Sequence, residues 1–355
     1  MVPAIEILLL LITPLLIFLI GIFGNGLTIV SSVIARKRNK YGFRQTWNTS
    51  TLHVLNLSII DFLYSMTCFV HIIYVVCHYA RQGMITENGI NEIQYRDEQY
   101  CTFLRQLQIF LSTGNKWSIS LIAVTRTFAI INNKRWENFC DKKRNVVSII
   151  LIPWILSILL SSFGFQERYN RDKHLLVCVP EKHSSVIPFR FLLLFPIETS
   201  IIILSYLCMY FYVAKQSRAY QRKYLSFNED TGRLIRARNI RLAKTMGIIG
   251  LSSVILCLPV VVVELLFEME KLNDATYSHL CLLVYNVWIL QHSINLFIYV
   301  WRKDENMCAI MDVILTIFPN LVSKSQKRKM DKRMRESIRI VANTKQELNR
   351  RVVKQ

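Results

Sequence analysis

The chain has 355 residues, with 44 Lys+Arg against 24 Asp+Glu and a net charge of +20, yet 52% of its residues are hydrophobic and only 19% are charged. A basic soluble protein built for nucleic acid would carry more charge and fewer apolar runs, and 11 Gly with 8 Pro exclude collagen-like and linker-type chains. Nine scattered Cys exclude a disulfide-dense scaffold and an ordered zinc array.

Charge and hydrophobicity occupy separate segments, the profile of a multi-pass membrane protein. Crossing about 30 Å of hydrocarbon takes roughly 20 mostly apolar residues. Seven stretches meet that length: 5–35, 51–79, 101–131, 146–165, 187–214, 242–267 and 277–301. The first is expected to be a span and not a signal peptide, because it lacks a preceding basic residue and ends in Arg36-Lys37-Arg38 instead of a small-residue cleavage site. The runs are too long for membrane strands, which alternate over about ten residues. Spans one, four and six are nearly uncharged, while the others carry polar residues expected to face neighbouring helices. Pro196 and Pro259 are expected to kink spans five and six.

The expected fold is an all-α membrane protein, a seven-transmembrane-helix bundle over 1–301. Residues 302–321 follow as a short amphipathic helix, with Met307, Ile310, Met311, Ile314, Ile317 and Phe318 at helical spacing along the inner leaflet. Residues 322–355 form a basic cytoplasmic tail whose expected partner is the anionic lipid of that leaflet; nucleic acid is excluded because the segment is tethered to the membrane. Lys and Arg concentrate after spans one, three and five and in the tail, which places the N-terminus outside and the C-terminus in the cytosol.

Each span also carries a motif. They are Gly24-Asn25, then Asn56-Leu57-Ser58-Ile59-Ile60-Asp61, then Cys101 with Arg126 beyond it, Trp154, Pro196, Pro259, and Asn295-Leu296-Phe297-Ile298-Tyr299. Together and in this order they resemble the rhodopsin-like (class A) G-protein-coupled receptors over nearly the whole chain. Several positions depart from that pattern. Thr125 and Thr127 flank Arg126 where the family has an acid and Tyr. Cys257 replaces the sixth-span Trp, Ser253 its Phe, Leu296 the seventh-span Pro, and Lys116 occupies a normally apolar position.

The resemblance implies a disulfide between Cys101 and Cys178, holding an outer linker over the bundle mouth, and G-protein contact through Arg126. With no acid at 125, and Asn239 near the place of a restraining Glu, it also implies raised basal signalling. The expected activation core comprises Asn25, Asp61, Asn115, Lys116, Cys257, Pro259, Gln291, His292, Asn295 and Tyr299. Asp61 resembles the family's sodium-binding acid. No metal is otherwise expected, and His292 is placed either to donate a hydrogen bond to Asp61 or, protonated, to replace the cation. Lys116 is expected to pair with Asp61 or Glu198, or to point into a hydrated cavity.

Candidate ligand contacts are His71, Tyr74, Arg105, Gln108, Glu264, Tyr285 and Trp288. Gln108 argues against an amine ligand and Ile289 against retinal. Arg105 and Glu264 offer one positive and one negative anchor among aromatic walls, which suits a peptide or a small zwitterion. The expected function is therefore a plasma-membrane receptor that couples an extracellular peptide to a heterotrimeric G protein. The alternatives are a non-signalling or constitutively active receptor of the same fold and, behind these, a transporter or channel, for which no repeated half is evident. Few tail hydroxyls, Ser337 and Thr344 among them, leave arrestin recruitment open. No cofactor and no enzymatic activity are expected, since no zinc-protease, serine-hydrolase or P-loop motif occurs.

Overall fold

A transmembrane chain must satisfy its backbone polar groups within each span, and apolar helices do so. The computed structural model describes residues 12–37, 49–82, 90–140, 142–162, 169–171, 178–180, 193–223 and 229–302. In chain order the helices are α1 (Thr13–Lys37), α2 (Thr49–Gln82), α3 (Ile90–Ile131), α4 (Asn133–Cys140), α5 (Lys143–Ser162), α6 (Phe195–Lys223), α7 (Glu229–Glu268) and α8 (Asp274–Arg302). Seven of them correspond to the seven expected spans; α4 is a short helix in the linker after α3. The expected surface helix 302–321 and the tail lie outside the described residues.

Two helices begin more than ten residues before their apolar runs. Helix α3 starts at Ile90 instead of 101, because the polar stretch Asn91–Tyr100 is rich in Glu, Gln and Arg and continues the helix beyond the hydrocarbon. Helix α7 starts at Glu229 instead of 242. Helix α6 starts at Phe195, so Pro196 falls in its first turn, where a missing N–H breaks no intrahelical bond. The kink expected at Pro196 is therefore not a feature of α6. Pro259 does lie inside α7, and α5 carries Pro153 internally, with the Ser157 hydroxyl donating to the Pro153 carbonyl at 2.5 Å.

Five helices hold windows long and apolar enough to cross a membrane: Leu15–Val33, Leu52–His71, Arg144–Ser162, Phe195–Gln216 and Gly250–Phe267. Helix α3, with a more polar sequence, is not among them. Its packing accounts for this. Helix α3 lies against α2, α5, α6 and α7, while α8 closes the ring by packing on α7, α1 and α2. Polar side chains on these helices face protein. The outward faces of the other helices are the reverse: Phe23 is 71% exposed and Phe211 65%, with Ile158, Leu204, Leu251 and Ile255 similarly open. Asn25, Asp61, Asn115, Gln291 and His292 are buried. Apolar outside and polar inside is the arrangement a lipid solvent selects.

Close helix contacts rest on small residues. A Cβ on Gly250 of α7 would stand 2.6 Å from Ile202 Cγ2 and 2.9 Å from Tyr206 Cε2 of α6. Around this seam Val54 and Leu57 of α2 pack with Ile119 and Ile122 of α3 and Ile202 of α6. On the far side of α3, the Trp154 indole N–H donates to Asn56 Oδ1 at 2.8 Å, and Asn56 Nδ2 donates to Ser118 Oγ at 3.2 Å. That chain joins α5, α2 and α3.

The α7–α8 joint is a tight turn. The Glu270 N–H bonds the Phe267 carbonyl at 2.9 Å, and the Lys271 N–H reaches back to the Leu266 carbonyl at 3.0 Å. These bonds form a Schellman cap, with Glu270 in the left-handed region at φ 56 where glycine is usual. Asn273 then caps α8, its Oδ1 accepting the Thr276 N–H at 2.8 Å. Elsewhere, β1 (Tyr169–Arg171) and β2 (Cys178–Pro180) pair antiparallel, with Arg171 opposite Cys178, and both strands lie against α3.

Gly250→Val should lower the detergent melting temperature by an amount matching about 1–3 kcal/mol of overpacking. Gly26→Ala should not, because its Cβ would meet Phe62 at an ordinary 3.5 Å. Equal melting of the two variants would refute the close α6–α7 approach.

Candidate functional site

Asp61 sits on α2 with its side chain fully buried. A carboxylate in an apolar bundle needs donors, and two arrive at one oxygen. Asn115 Nδ2 of α3 donates to Asp61 Oδ1 at 2.6 Å, and His292 Nδ1 of α8 lies 2.7 Å from the same atom. An ionised carboxylate only accepts, so the proton in the second contact is on His292 Nδ1. The imidazole stacks on Tyr64, three residues beyond Asp61, at 3.8 Å between ring centroids. Its backbone carbonyl receives Asn25 Nδ2 of α1 at 3.1 Å.

The network continues into α7. Gln291 Nε2 donates to Asn115 Oδ1 at 2.9 Å and to Ser253 Oγ at 2.9 Å, and its Oε1 accepts the Cys257 thiol at 2.8 Å. Asn25, Asp61, Asn115, Gln291, His292 and Cys257 are thus brought together, linking α1, α2, α3, α7 and α8. Pro259 follows Cys257 on α7, within the same helix. Asn295 and Tyr299 are on α8, but their side chains lie outside the described residues.

This donor set fits a monovalent cation poorly. Asp61 Oδ1 already carries two N–H donors, and His292 presents nitrogen where a hard cation prefers oxygen. Among the described residues no cluster of three or more His, Cys, Asp or Glu side chains suits a metal ion. Lys116, next to Asn115, joins neither Asp61 nor Glu198. Its ammonium sits 5.1 Å from the Phe195 ring centroid, a cation–π contact between α3 and α6. The reason is directional: Asn115 and Lys116 are consecutive on a helix, so the face that delivers Asn115 to Asp61 turns Lys116 toward α6.

Above this core an aromatic layer leads outward. Trp288 meets Tyr64 edge-on at 6.0 Å, Tyr74 stacks on Tyr100 at 3.8 Å, and His71 lies parallel to Tyr100 at 6.3 Å. Burial pushes the Tyr100 phenol above its ordinary range. The two charged candidates are held by protein groups. Arg105 Nη1 donates to Gln108 Oε1 at 3.3 Å, one turn along α3, and the Tyr277 hydroxyl donates to Glu264 Oε2 at 2.8 Å. Tyr277 also stacks on Phe267 at 3.7 Å. The side chain of Tyr285 lies outside the described residues. Tyr64 and Tyr277 are the members that sequence reading missed. Tyr64 shares the face of Asp61 by its three-residue spacing, whereas nothing local pointed to Tyr277.

At the opposite end of α3, Arg126 is half-buried. Its neighbours bind elsewhere. Thr125 Oγ1 lies 3.4 Å from His53 Nε2 of α2, and Thr127 Oγ1 donates to the Ala123 and Ser205 carbonyls at 2.9 and 3.0 Å. The Tyr212 hydroxyl of α6 donates to the Ile131 carbonyl at 3.1 Å. Helix α3 is therefore tied to α2 and α6 beside Arg126. Asn239 is on α7, with its side chain outside the described residues. Cys101, buried on α3, is disulfide-bonded.

A helical bundle with apolar outward faces and a buried polar core is the scaffold of a multi-pass membrane receptor. The chain belongs to the seven-transmembrane receptors of the rhodopsin family, whose model matches residues 24–299. No curated protein matches the chain.

Asp61→Leu removes the shared acceptor and leaves Asn115 and His292 buried with unmet donors, at about 1–3 kcal/mol for each stranded group. We expect a large fall in melting temperature, partly restored when His292→Leu is added. Additive losses in that double-mutant cycle would contradict the pairing.

Proposed function

We propose that this receptor binds an extracellular peptide in the vestibule above Trp288 and transmits occupancy to a heterotrimeric G protein at the Arg126 end of α3. The observation that carries this reading is the continuous path from Trp288 to α7. Trp288 meets Tyr64, Tyr64 stacks on His292, and His292 belongs to the network that reaches α7 through Gln291. A ligand that shifts Trp288 changes the relative stability of alternative α7 packings, which is a population shift.

Arg105 and Glu264 give the vestibule groups of both signs, and a peptide carries both signs and a chain long enough to displace their present partners. Arg126 suits the inner contact because a guanidinium stays charged and donates in several directions to backbone carbonyls. Cys178 is the proposed disulfide partner of Cys101; β2, which carries Cys178, lies against α3, which carries Cys101. The proposed setting is the plasma membrane with the N-terminus outside and the C-terminus in the cytosol. There the basic tail 322–355 contacts anionic lipid, and arrestin is a further candidate partner.

A non-signalling receptor is the second reading, favoured by Thr125 and Thr127 binding His53 and the Ser205 carbonyl instead of engaging Arg126. A G-protein dissociation screen against peptide and small-molecule libraries separates the two. We expect a peptide hit whose response Arg126→Ala reduces at least tenfold. No nucleotide exchange from any ligand or from the free receptor would favour the second reading, and a response untouched by Arg126→Ala would remove that residue from the mechanism.

A further inference from the structure

Lys116 lies about 22 Å along α3 from Cys101, where the apolar run begins, and therefore near mid-membrane. An ammonium at that depth is costly. Among the described residues the Phe195 ring answers its charge, at 5.1 Å, and no carboxylate pairs with it. The next residue, Trp117, has a buried indole Nε1 that meets no acceptor among the described residues. An indole N–H only donates. Two adjacent side chains thus supply a charge and a donor, and neither meets an acceptor.

The helix geometry shows where they point. At 100° per residue, Lys116, Ser120 and Thr127 fall at about 100°, 140° and 120° from Asn115. That is the α6 side, since Lys116 meets Phe195, Ser120 Oγ donates to the Glu198 carbonyl and Thr127 Oγ1 to the Ser205 carbonyl. Phe110 and Gly114 fall at about 220° and 260°. That is the α5 side, where Phe110 packs on Trp154 at 6.0 Å and a Cβ on Gly114 would stand 3.0 Å from Ser157 Oγ. Trp117, at about 200°, falls between the two. Helices α5 and α6 both pack on α3 but scarcely touch each other among the described residues. Trp117 therefore floors a cleft between them, with Lys116 on its α6 edge. Both side chains are half-buried, and the outward faces beside the cleft are apolar, with Ile155 and Leu159 of α5 and Ile197 and Leu204 of α6 exposed.

We propose that this cleft binds a long-chain fatty acid, whose carboxylate pairs with Lys116 and accepts the Trp117 N–H. A carboxylate has two acceptor oxygens, enough for both donors. The depth of the site selects the class. A phospholipid keeps its charged phosphate at the interface, roughly 15 Å from mid-membrane. A carboxylic acid enters hydrocarbon neutral and ionises beside an ammonium, its proton returning to the aqueous phase. Its acyl chain then lies along the apolar faces of α5 and α6. This site is separate from the vestibule and depends on neither the peptide reading nor the G-protein reading.

The test is binding of tritiated oleate to full-length receptor in phosphatidylcholine nanodiscs, with empty nanodiscs as the reference. We expect saturable binding to the receptor. Lys116→Leu removes a charge from the membrane and is expected to fold; it should weaken binding about tenfold or more, whereas Lys116→Arg should retain most of it. Trp117→Phe keeps a ring and loses only the donor, so it should weaken binding about threefold. Methyl oleate should compete about tenfold less well than oleate, or worse. A diazirine-bearing fatty acid should label α5 and α6. Unsaturable uptake, undiminished affinity in folded Lys116→Leu, or labelling confined to α2, α7 and α8 would overturn the site. Displacement of oleate by an equal concentration of dioleoyl phosphatidic acid would overturn its assignment to a fatty acid.

Discussion

One acceptor-only group governs the middle of this bundle. The Asp61 carboxylate lies where water cannot reach it, and a bare charge there would cost far more than any single packing contact returns. Asn115 and His292 meet that demand, and meeting it fixes their rotamers, the imidazole tautomer and, one step on, the Gln291 amide. The helices that supply these donors must hold their relative heights and rotations. Seams that look independent, such as Gly250 on Ile202 or Trp154 on Asn56, are the packing compatible with that arrangement.

The two charge decisions in the core are complementary. His292 is recruited to Asp61, while Lys116, a stronger cation one residue from Asn115, is turned away onto Phe195. An imidazole gives up water more readily than an ammonium, so the weaker base is the better neighbour for a buried acid. Phe195 offers Lys116 a partner that requires no second buried charge.

Much of this was legible in the residues. Long apolar runs identified the spans, because a bilayer imposes a length, and basic linkers suggested their direction. Asp61 announced itself as an acid in an apolar helix, and its neighbours Asn115, Gln291 and His292 followed from position. What could not be read were contacts set by rotation about a helix axis. The rejection of Lys116 by Asp61, the bond from Tyr277 to Glu264 and the capture of Gln291 by both Ser253 and Cys257 depend on which way each helix turns. Helix ends were not legible for a related reason. Polar residues continue a helix beyond the membrane as readily as they end it, as at Ile90 and Glu229.

The α7–α8 joint has a mechanical consequence. The Schellman turn at Glu270, the Asn273 cap and the Tyr277 contacts to Glu264 and Phe267 fasten the last turns of α7 to the start of α8. Helix α7 is 40 residues long, and Pro259 stands close to this fastened end. The arm from Pro259 to Glu229 spans about 45 Å at 1.5 Å per residue. A tilt of about 10° at the proline carries its far tip through roughly 8 Å for an arm of that length. The molecule has the geometry of a lever, in which a small angular change at Pro259 is magnified along the arm that ends at Glu229.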